Sequence, residues 1–430
     1  MRRKVILSLL VLLSFQYGHA LTANAKKLID FETQSNAVAQ RDNNAMLMPH
    51  FEIPLSMLET DFAERLSPLI RKQLVFTKNK QKMVRWILNP EDTKWSNEVV
   101  EYFKTKGLIL EKKYYFTGYK TASRSYIVED PQNTVQFSVK SSTNVTGGLW
   151  ADKKQPIGEA IDSRLNADFL AEIQEKLKFK NIVIMDEPAI IKLADIDQAV
   201  VIRDIAGLNS IEKEYIYVPG FSVLHEKMGK EIAEENGSTN PTEFWEEHYI
   251  KSVGRALGEF AARTGMQFDS PHSQNFLVEL DSNYKPTGRI VFRDLADLYV
   301  NRTFMNVIHS EYENYNKNFK QKENILNLIA AGFGPLHGNK FPSWITEGTY
   351  DRWNNVFFTE FEKTLSAESG LAVSDFKNSV GRRDMNYFGN TYTISKSNEA
   401  NSRIDNFWKN MKMSQTPLGQ LNCSYLFKVK

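Results

Sequence analysis

The densest set of reactive side chains runs Ser270-Pro271-His272-Ser273-Gln274-Asn275 and resumes, after an apolar stretch and a turn, at Arg293-Asp294. Between them lie the apolar runs Phe276–Leu280 and Arg289–Phe292, separated by turn-forming residues 281–288. Two such runs across a turn predict a β-hairpin, which brings the start of its first strand beside the end of its second. His272, Gln274 and Asn275 then fall next to Arg293 and Asp294. An imidazole, two amides, a guanidinium and a carboxylate at one sheet end suit a nucleotide with a divalent cation. Amide and carboxylate oxygens would hold Mg2+, while Arg and His face phosphate oxygens. The alternative is a polar turn whose Asn and His side chains cap backbone groups.

A second cluster is Phe137-Ser138-Val139-Lys140 followed by Ser141-Ser142-Thr143-Asn144-Val145-Thr146-Gly147-Gly148. A strand here delivers a lysine into a loop of hydroxyls and glycines. Such a loop offers backbone N–H groups, hydroxyls and a point charge to phosphates. The order of Gly and Lys is not that of a Walker A loop, and a solvated hairpin loop has the same composition. A third cluster joins Asp186-Glu187-Pro188 to Val201-Ile202-Arg203-Asp204, each at the end of an apparent strand. Glu187 and Arg203 suit either a site or a structural ion pair between neighbouring strands.

The elements that must position these residues change along the chain. Residues 26–65 are polar and read as a linker or loosely held arm, and Leu58 to Lys106 is mainly helical by pattern. From about residue 112, short β-branched and aromatic runs alternate with turns. They are Tyr114–Tyr119, Ser125–Val128, Thr134–Lys140, Ile182–Met185 and Ala199–Ile205. With a helix over Ile157 to Leu177, residues 112–210 predict an antiparallel sheet carrying one or two helices. Helical spacing returns from Pro241, with Phe244, Ile250, Val253, Leu257 and Phe260 on one face, and stops at Gly265. After the hairpin, the pattern to Phe376 is helical.

Arg2-Arg3-Lys4, an apolar run from Val5 to Phe15, and Ala20 or Ala25 at cleavage spacing form a secretory leader over residues 1–25. Its run is far shorter than the ~20 residues a spanning helix needs, and no later stretch reaches that length. The expected location is therefore outside the cytoplasm, with no membrane span after leader removal. The organisation expected for the rest is 26–111 as polar arm and helices, 112–210 as β-rich lobe, and 211–430 as mostly helical lobe with the hairpin. A net charge of +2 gives no reason to expect nucleic acid as partner. One cysteine, Cys423, excludes an internal disulfide, and seven histidines are too scattered for a zinc pattern.

Taken in order, the pieces are strand-Lys-Ser/Thr loop, strand-Glu, strand-Arg, His-x-Gln-Asn, then Arg-Asp. This order, over roughly residues 134–300, resembles the IucA/IucC family of siderophore synthetases, the aerobactin-type enzymes that work without a nonribosomal template. The resemblance implies an α+β fold in which a β-rich nucleotide lobe with an antiparallel sheet and a larger, mostly helical lobe cup a cleft. It implies ATP and Mg2+ as cofactors, and activation of a small-molecule carboxylate for condensation with an amine or hydroxyl. Lys140, His272 and Arg293 would stabilise phosphate charge. Ser142, Thr143, Thr146, Gln274 and Asn275 would contact the nucleotide, and Asn275 with Asp294 would hold the metal. The chain departs from the family pattern at Ser270, where an acidic residue is usual. It departs again at Asp152, where an arginine is usual and where Trp150, Lys153 or Arg164 are the candidates to substitute. Because the family works in the cytoplasm, two other readings stand beside an exported ligase. One is an exported, non-catalytic binding relic; the other is a secreted transferase acting where a host supplies ATP.

Overall fold

The computed structural model describes residues 23–34, 44–121, 124–145, 152–205, 215–268, 273–302, 304–305, 315, 318–322, 342–370, 383–385 and 392–394. Helix α1 (Ala23–Gln34) comes first, then β1 (Met46–Pro54), β2 (Glu59–Phe62), α2 (Pro68–Leu74), β3 (Val75–Lys78), β4 (Gln81–Ile87) and α3 (Lys94–Thr105). Next are β5 (Lys113–Lys120), β6 (Ser125–Glu129), β7 (Gln136–Lys140), α4 (Ile157–Leu177), β8 (Ile182–Ile184), β9 (Ala189–Leu193) and β10 (Gln198–Arg203).

Nine of these strands make one antiparallel sheet in the order β2-β9-β10-β7-β6-β5-β1-β4-β3. Its central strands β6, β7 and β10 are buried along their whole length; β6 and β10 carry the apolar runs Tyr126–Val128 and Ala199–Ile202, whereas β7 alternates Gln136-Phe137-Ser138-Val139-Lys140 and so brings Lys140 into the interior. Phe51, Trp86, Phe116, Phe137 and Ile202 form the core under one face with α2 and α3, where Ile70, Leu74, Val99 and Phe103 pack. On the other face Ala160 of α4 meets Ile190, Ala199 and Val201.

The second half begins with β11 (Tyr215–Pro219), a one-turn helix, and α5 (Glu226–Glu235). Helix α6 (Pro241–Trp245) starts on a proline, capped by Asn240 Oδ1 accepting from Glu243 N, and continues through a π turn (Glu246–Ile250) into α7 (Lys251–Thr264). Gly265, at φ +61°, ends α7 in the left-handed region, as its position predicts. Strands β12 (Met266–Phe268), β13 (Phe276–Asp281), β14 (Pro286–Phe292), β15 (Leu298–Asn301) and β16 (Gln321–Lys322) follow, then α8 (Glu347–Ser369) and the pair β17 (Arg383–Met385) and β18 (Tyr392–Ile394). The second sheet has the order β11-β13-β14-β8, with the predicted hairpin at its centre in the register Phe276↔Phe292 and Leu277↔Val291. Helix α7 lies against β14, and α8 packs on α7. At Gly254 and Gly258 they cross so closely that a Cβ would stand 2.7 Å from the carbonyl oxygens of Phe357 and Phe361.

Three expectations change. The boundary at 111/112 divides nothing, because β1–β4 belong to the same sheet as β5–β10. The polar arm is in part a packed helix and two strands: Ala25, Leu28 and Ile29 of α1 are buried against Ile127 of the first sheet and Tyr217, Leu277 and Val291 of the second. Strand β8 leaves the 112–210 sheet and runs parallel to β14. A short apolar run does not encode which sheet it joins, and a parallel partner is reached only through a crossover. The α+β class stands. Among the described residues, no helix is long and apolar enough to cross a membrane.

Candidate functional site

The two sheets meet where β7 and β14 end, and there Lys140 and Asp294 face each other. The ammonium of Lys140 donates to Asp294 Oδ1 at 2.5 Å across 154 positions of sequence, with side-chain exposures of 10% and 31%. Asp294 has φ +66° and ψ +61° and opens the 3-10 turn Leu295–Asp297. Non-glycine residues adopt this left-handed backbone rarely, and Asp tolerates it better than most. It turns the chain sharply at the strand end and presents the carboxylate to the first sheet. Burial alone would raise the Asp294 pKa, but the Lys140 and Arg203 charges outweigh it and hold the carboxyl far below its usual range.

Behind this pair, Arg203 on β10 grips Glu187 through Nη2 at 2.5 Å and Nε at 2.9 Å, both to Oε1. Glu187 Oε2 accepts from Ser163 Oγ and from the backbone N–H of Leu295. Arg203 Nη2 also lies 3.8 Å from Asp294 Oδ1. The ion pair between neighbouring strands is therefore real, and it braces the backbone turn that carries Asp294.

The loop after Lys140 is tied down from inside. Ser142 Oγ accepts from Gln155 N at 2.8 Å, and Thr143 Oγ1 accepts from Val145 N at 3.0 Å. Asn144 N donates to Asp92 Oδ1, the carboxylate that also receives Ser96 N and Trp95 N at the start of α3. Ser142 and Thr143 thus hold loop shape, while Thr146 and Trp150 lie outside the described residues. Thr143 and Lys153 form an antiparallel bridge (N to O 2.9 and 2.8 Å), which orients the return strand. Asp152 consequently turns outward to Lys94 and to Trp95 Nε1. Lys153 turns inward, where burial and then the charges of Arg124 and Lys140 lower its pKa. Of the possible substitutes for the family arginine, Arg164 is committed to Asp61 and Asp168, and Lys153 is the one in the site. Arg124, which donates to Lys154 O and Glu159 Oε2, also depresses Asp294.

On the hairpin side, Arg293 N donates to Asn275 O at 3.2 Å, so Asn275 sits beside Asp294 in the turn. Asn275 is 1% exposed, and among the described residues neither its side-chain oxygen nor its nitrogen has a partner. A buried amide oxygen without a partner fits a cation ligand. Arg293 donates from Nε to Gln274 O and from Nη1 to Glu32 of α1; its side chain is turned into the protein. His272 lies outside the described residues. Sequence reasoning missed Arg124, Glu32 and Asp297, since none belongs to a spaced motif. Burial, then the neighbouring Asp294, push the Asp297 carboxyl up to about 6. Among the described residues, no three His, Cys, Asp or Glu side chains group as a metal cage. The donors present, Asp294 and Asn275, suit Mg2+, which keeps waters and substrate phosphates as its other ligands.

Fold and site together define an α+β scaffold with a cluster of cationic side chains around a carboxylate at the junction of two sheets. Among solved structures, that scaffold is similar to the petrobactin biosynthesis protein AsbB from Bacillus anthracis str. Sterne. The TM-score is 0.55 at 13% identity, over 90% of this chain and 72% of that one. It is also similar to the ATP-bound aerobactin synthetase IucA from a hypervirulent pathotype of Klebsiella pneumoniae (TM-score 0.47, 13% identity, 76% of this chain and 59% of that one). Aerobactin synthetase IucC from the same source gives TM-score 0.47 at 10% identity, over 96% of this chain and 69% of that one. No protein-family model and no curated protein matches the chain by sequence. The fold is similar to that of AsbB, and the chain spans 59% and 64% of the length of the two IucA structures.

Proposed function

We propose that the chain is a divergent ATP- and Mg2+-dependent ligase that activates a small carboxylic acid for condensation with an amine or hydroxyl. The observation that carries this is the convergence of Arg124, Lys140, Lys153 and Arg203, from separate elements, on the Asp294 carboxylate. A triphosphate needs several cations preorganised where charge accumulates, and such preorganisation is usually the largest catalytic contribution. In the reaction, a carboxylate oxygen attacks the α-phosphorus and the bond to pyrophosphate breaks. The amine or hydroxyl then attacks the acyl carbon, AMP leaves, and the nucleophile's proton passes to solvent. Lys140 exchanges Asp294 for phosphate oxygens, and Lys153 with Arg124 neutralises the remaining phosphate charge. Asp294 and Asn275 hold Mg2+, which supplies charge neutralisation on the phosphates. Gln274 and His272 keep the nucleotide-facing roles that the family resemblance implies. Arg293 acts on the site from behind. The leader sends the mature chain out of the cytoplasm, so turnover requires a destination containing ATP.

A second reading, an exported binding protein without turnover, is favoured by one observation. Lys140 and Arg203 are already neutralised by Asp294 and Glu187 in the resting site. Titration calorimetry with ATP, with and without Mg2+, and pyrophosphate release over a panel of carboxylic acids test both. Mg2+-dependent binding plus release with one acid class, both lost in Asp294→Ala, is the expected result. Binding without release selects the second reading. Absence of binding overturns both.

A further inference from the structure

Helix α1 occupies an unusual place. Its apolar face is the filling between the two sheets, with Ala25, Leu28 and Ile29 against Ile127 on one side and Tyr217, Leu277 and Val291 on the other. Phe31 enters the main core of the second lobe, and its carbonyl accepts from Ser222 Oγ at 3.1 Å. One helical turn further along this face sits a charge: Glu32, 0% exposed, paired with Nη1 of Arg293, itself 5% exposed. A carboxylate inside a protein is expensive unless paired, so this position is a poor choice for simple gluing of two lobes. An apolar residue would serve that purpose at least as well.

What the charge does is set Arg293. The guanidinium is held at one edge by Glu32 and at Nε by the Gln274 carbonyl, while the Arg293 backbone N–H holds the Asn275 carbonyl. Asp294 follows directly in the chain, in its left-handed conformation. Glu32 is also close enough to contribute to the raised pKa of Arg203. The arrangement is unfinished: Glu32 Oε2, Arg293 Nη2 and both polar atoms of the Asn275 side chain are buried with no hydrogen-bond partner among the described residues.

We propose that α1 is a wedge between the lobes and that Glu32 is a positioning residue for the candidate site. It acts through Arg293 on the 273–275 turn and hence on Asn275 and Asp294. This rests on the proposed nucleotide and Mg2+ reading of that site, and the test separates the two.

The experiment compares Glu32→Gln with Leu28→Ala in the full chain. Both alter α1, but only the first removes the charge that orients Arg293. Two readouts are taken: affinity for ATP with Mg2+ by calorimetry, and amide hydrogen exchange over residues 274–276 and 293–295. Glu32→Gln should weaken ATP·Mg2+ binding tenfold or more and speed exchange in both segments. Leu28→Ala, at a comparable fall in Tm, should leave binding within twofold and those segments protected. Glu32→Asp should recover part of the loss. Equal effects of Glu32→Gln and Leu28→Ala on both readouts, or none from Glu32→Gln, would overturn the positioning role. If the wild type binds no nucleotide, the functional reading fails, and exchange alone still decides whether Glu32 governs the turn.

Discussion

Replacing Asp294 by asparagine removes one charge from the junction while keeping a residue that accepts left-handed backbone. Two unit charges about 4 Å apart attract by roughly 4 kcal/mol at an effective dielectric near 20. That is a ceiling, since exposed pairs are worth about 0–1 kcal/mol while breaking a fully buried pair costs about 3–5. With Lys140 10% and Asp294 31% exposed, the Lys140–Asp294 pair belongs between these limits, at about 2 kcal/mol. Asp294→Asn should therefore lower unfolding free energy by about 2 kcal/mol, because Lys140 would be left largely buried without its counter-charge. Asp294→Ala should cost about 1 kcal/mol more, since alanine is strained at φ +66°. Urea denaturation of wild type, Asp294→Asn, Lys140→Met and the double variant gives the coupling directly. A coupling below about 0.5 kcal/mol would refute the pairing as an energetic feature. The pH dependence has a definite sign. The folded-state pKa of Asp294 is depressed, so its stabilisation is complete above its unfolded value and is lost as pH falls through the folded one. The gap between wild type and Asp294→Asn should be constant from pH 8 to 5 and narrow below about 4.

Lys153→Ala should weaken ATP·Mg2+ binding about tenfold, the loss of one charge-assisted contact, whereas Asp152→Ala should leave it within about twofold; calorimetry on both reads this directly, and the reverse order would show that Asp152 faces the ligand. Asp297 has its pKa raised to about 6, so its ionised form opposes folding at high pH and the penalty fades as pH drops through 6 towards its unfolded value. Asp297→Asn should accordingly raise Tm at pH 8 and give no gain at pH 4, measured by thermal melts. Leader cleavage should fall after Ala20 and not after Ala25, because Ala25 is fully buried inside α1. N-terminal sequencing of the exported chain settles the position, and a mature chain beginning at Lys26 would contradict the role given to α1.

Several features of the site are local and so are legible without a structure. The hairpin from Phe276 to Phe292 follows from two β-favouring runs across a turn, and pairing its ends is a matter of geometry. The helix ending at Thr264 and its stop at Gly265 follow from the helical spacing of Phe244, Ile250, Val253, Leu257 and Phe260 and from the one residue type that enters left-handed backbone freely. The Lys140 strand and the Asp294 turn are each recognisable alone, and their order along the chain points to the fold class.

Their meeting at 2.5 Å is a different matter. It depends on β7 and β14 lying in two sheets joined through the Glu187–Arg203 brace and through α1, and none of those contacts has a fixed spacing. The choice between Asp152 and Lys153 shows the same limit at single-residue scale. Adjacent side chains on an extended segment point to opposite sides, and the bridge from Thr143 to Lys153 sets which one faces inward. Composition marks α1 as a polar segment, yet its few apolar residues share one face and meet a gap that exists only once both sheets have formed. Short-range chemistry determined which residues are available to this site. Long-range packing decided which of them face one another, because burial acts on surfaces that are assembled from distant parts of the chain.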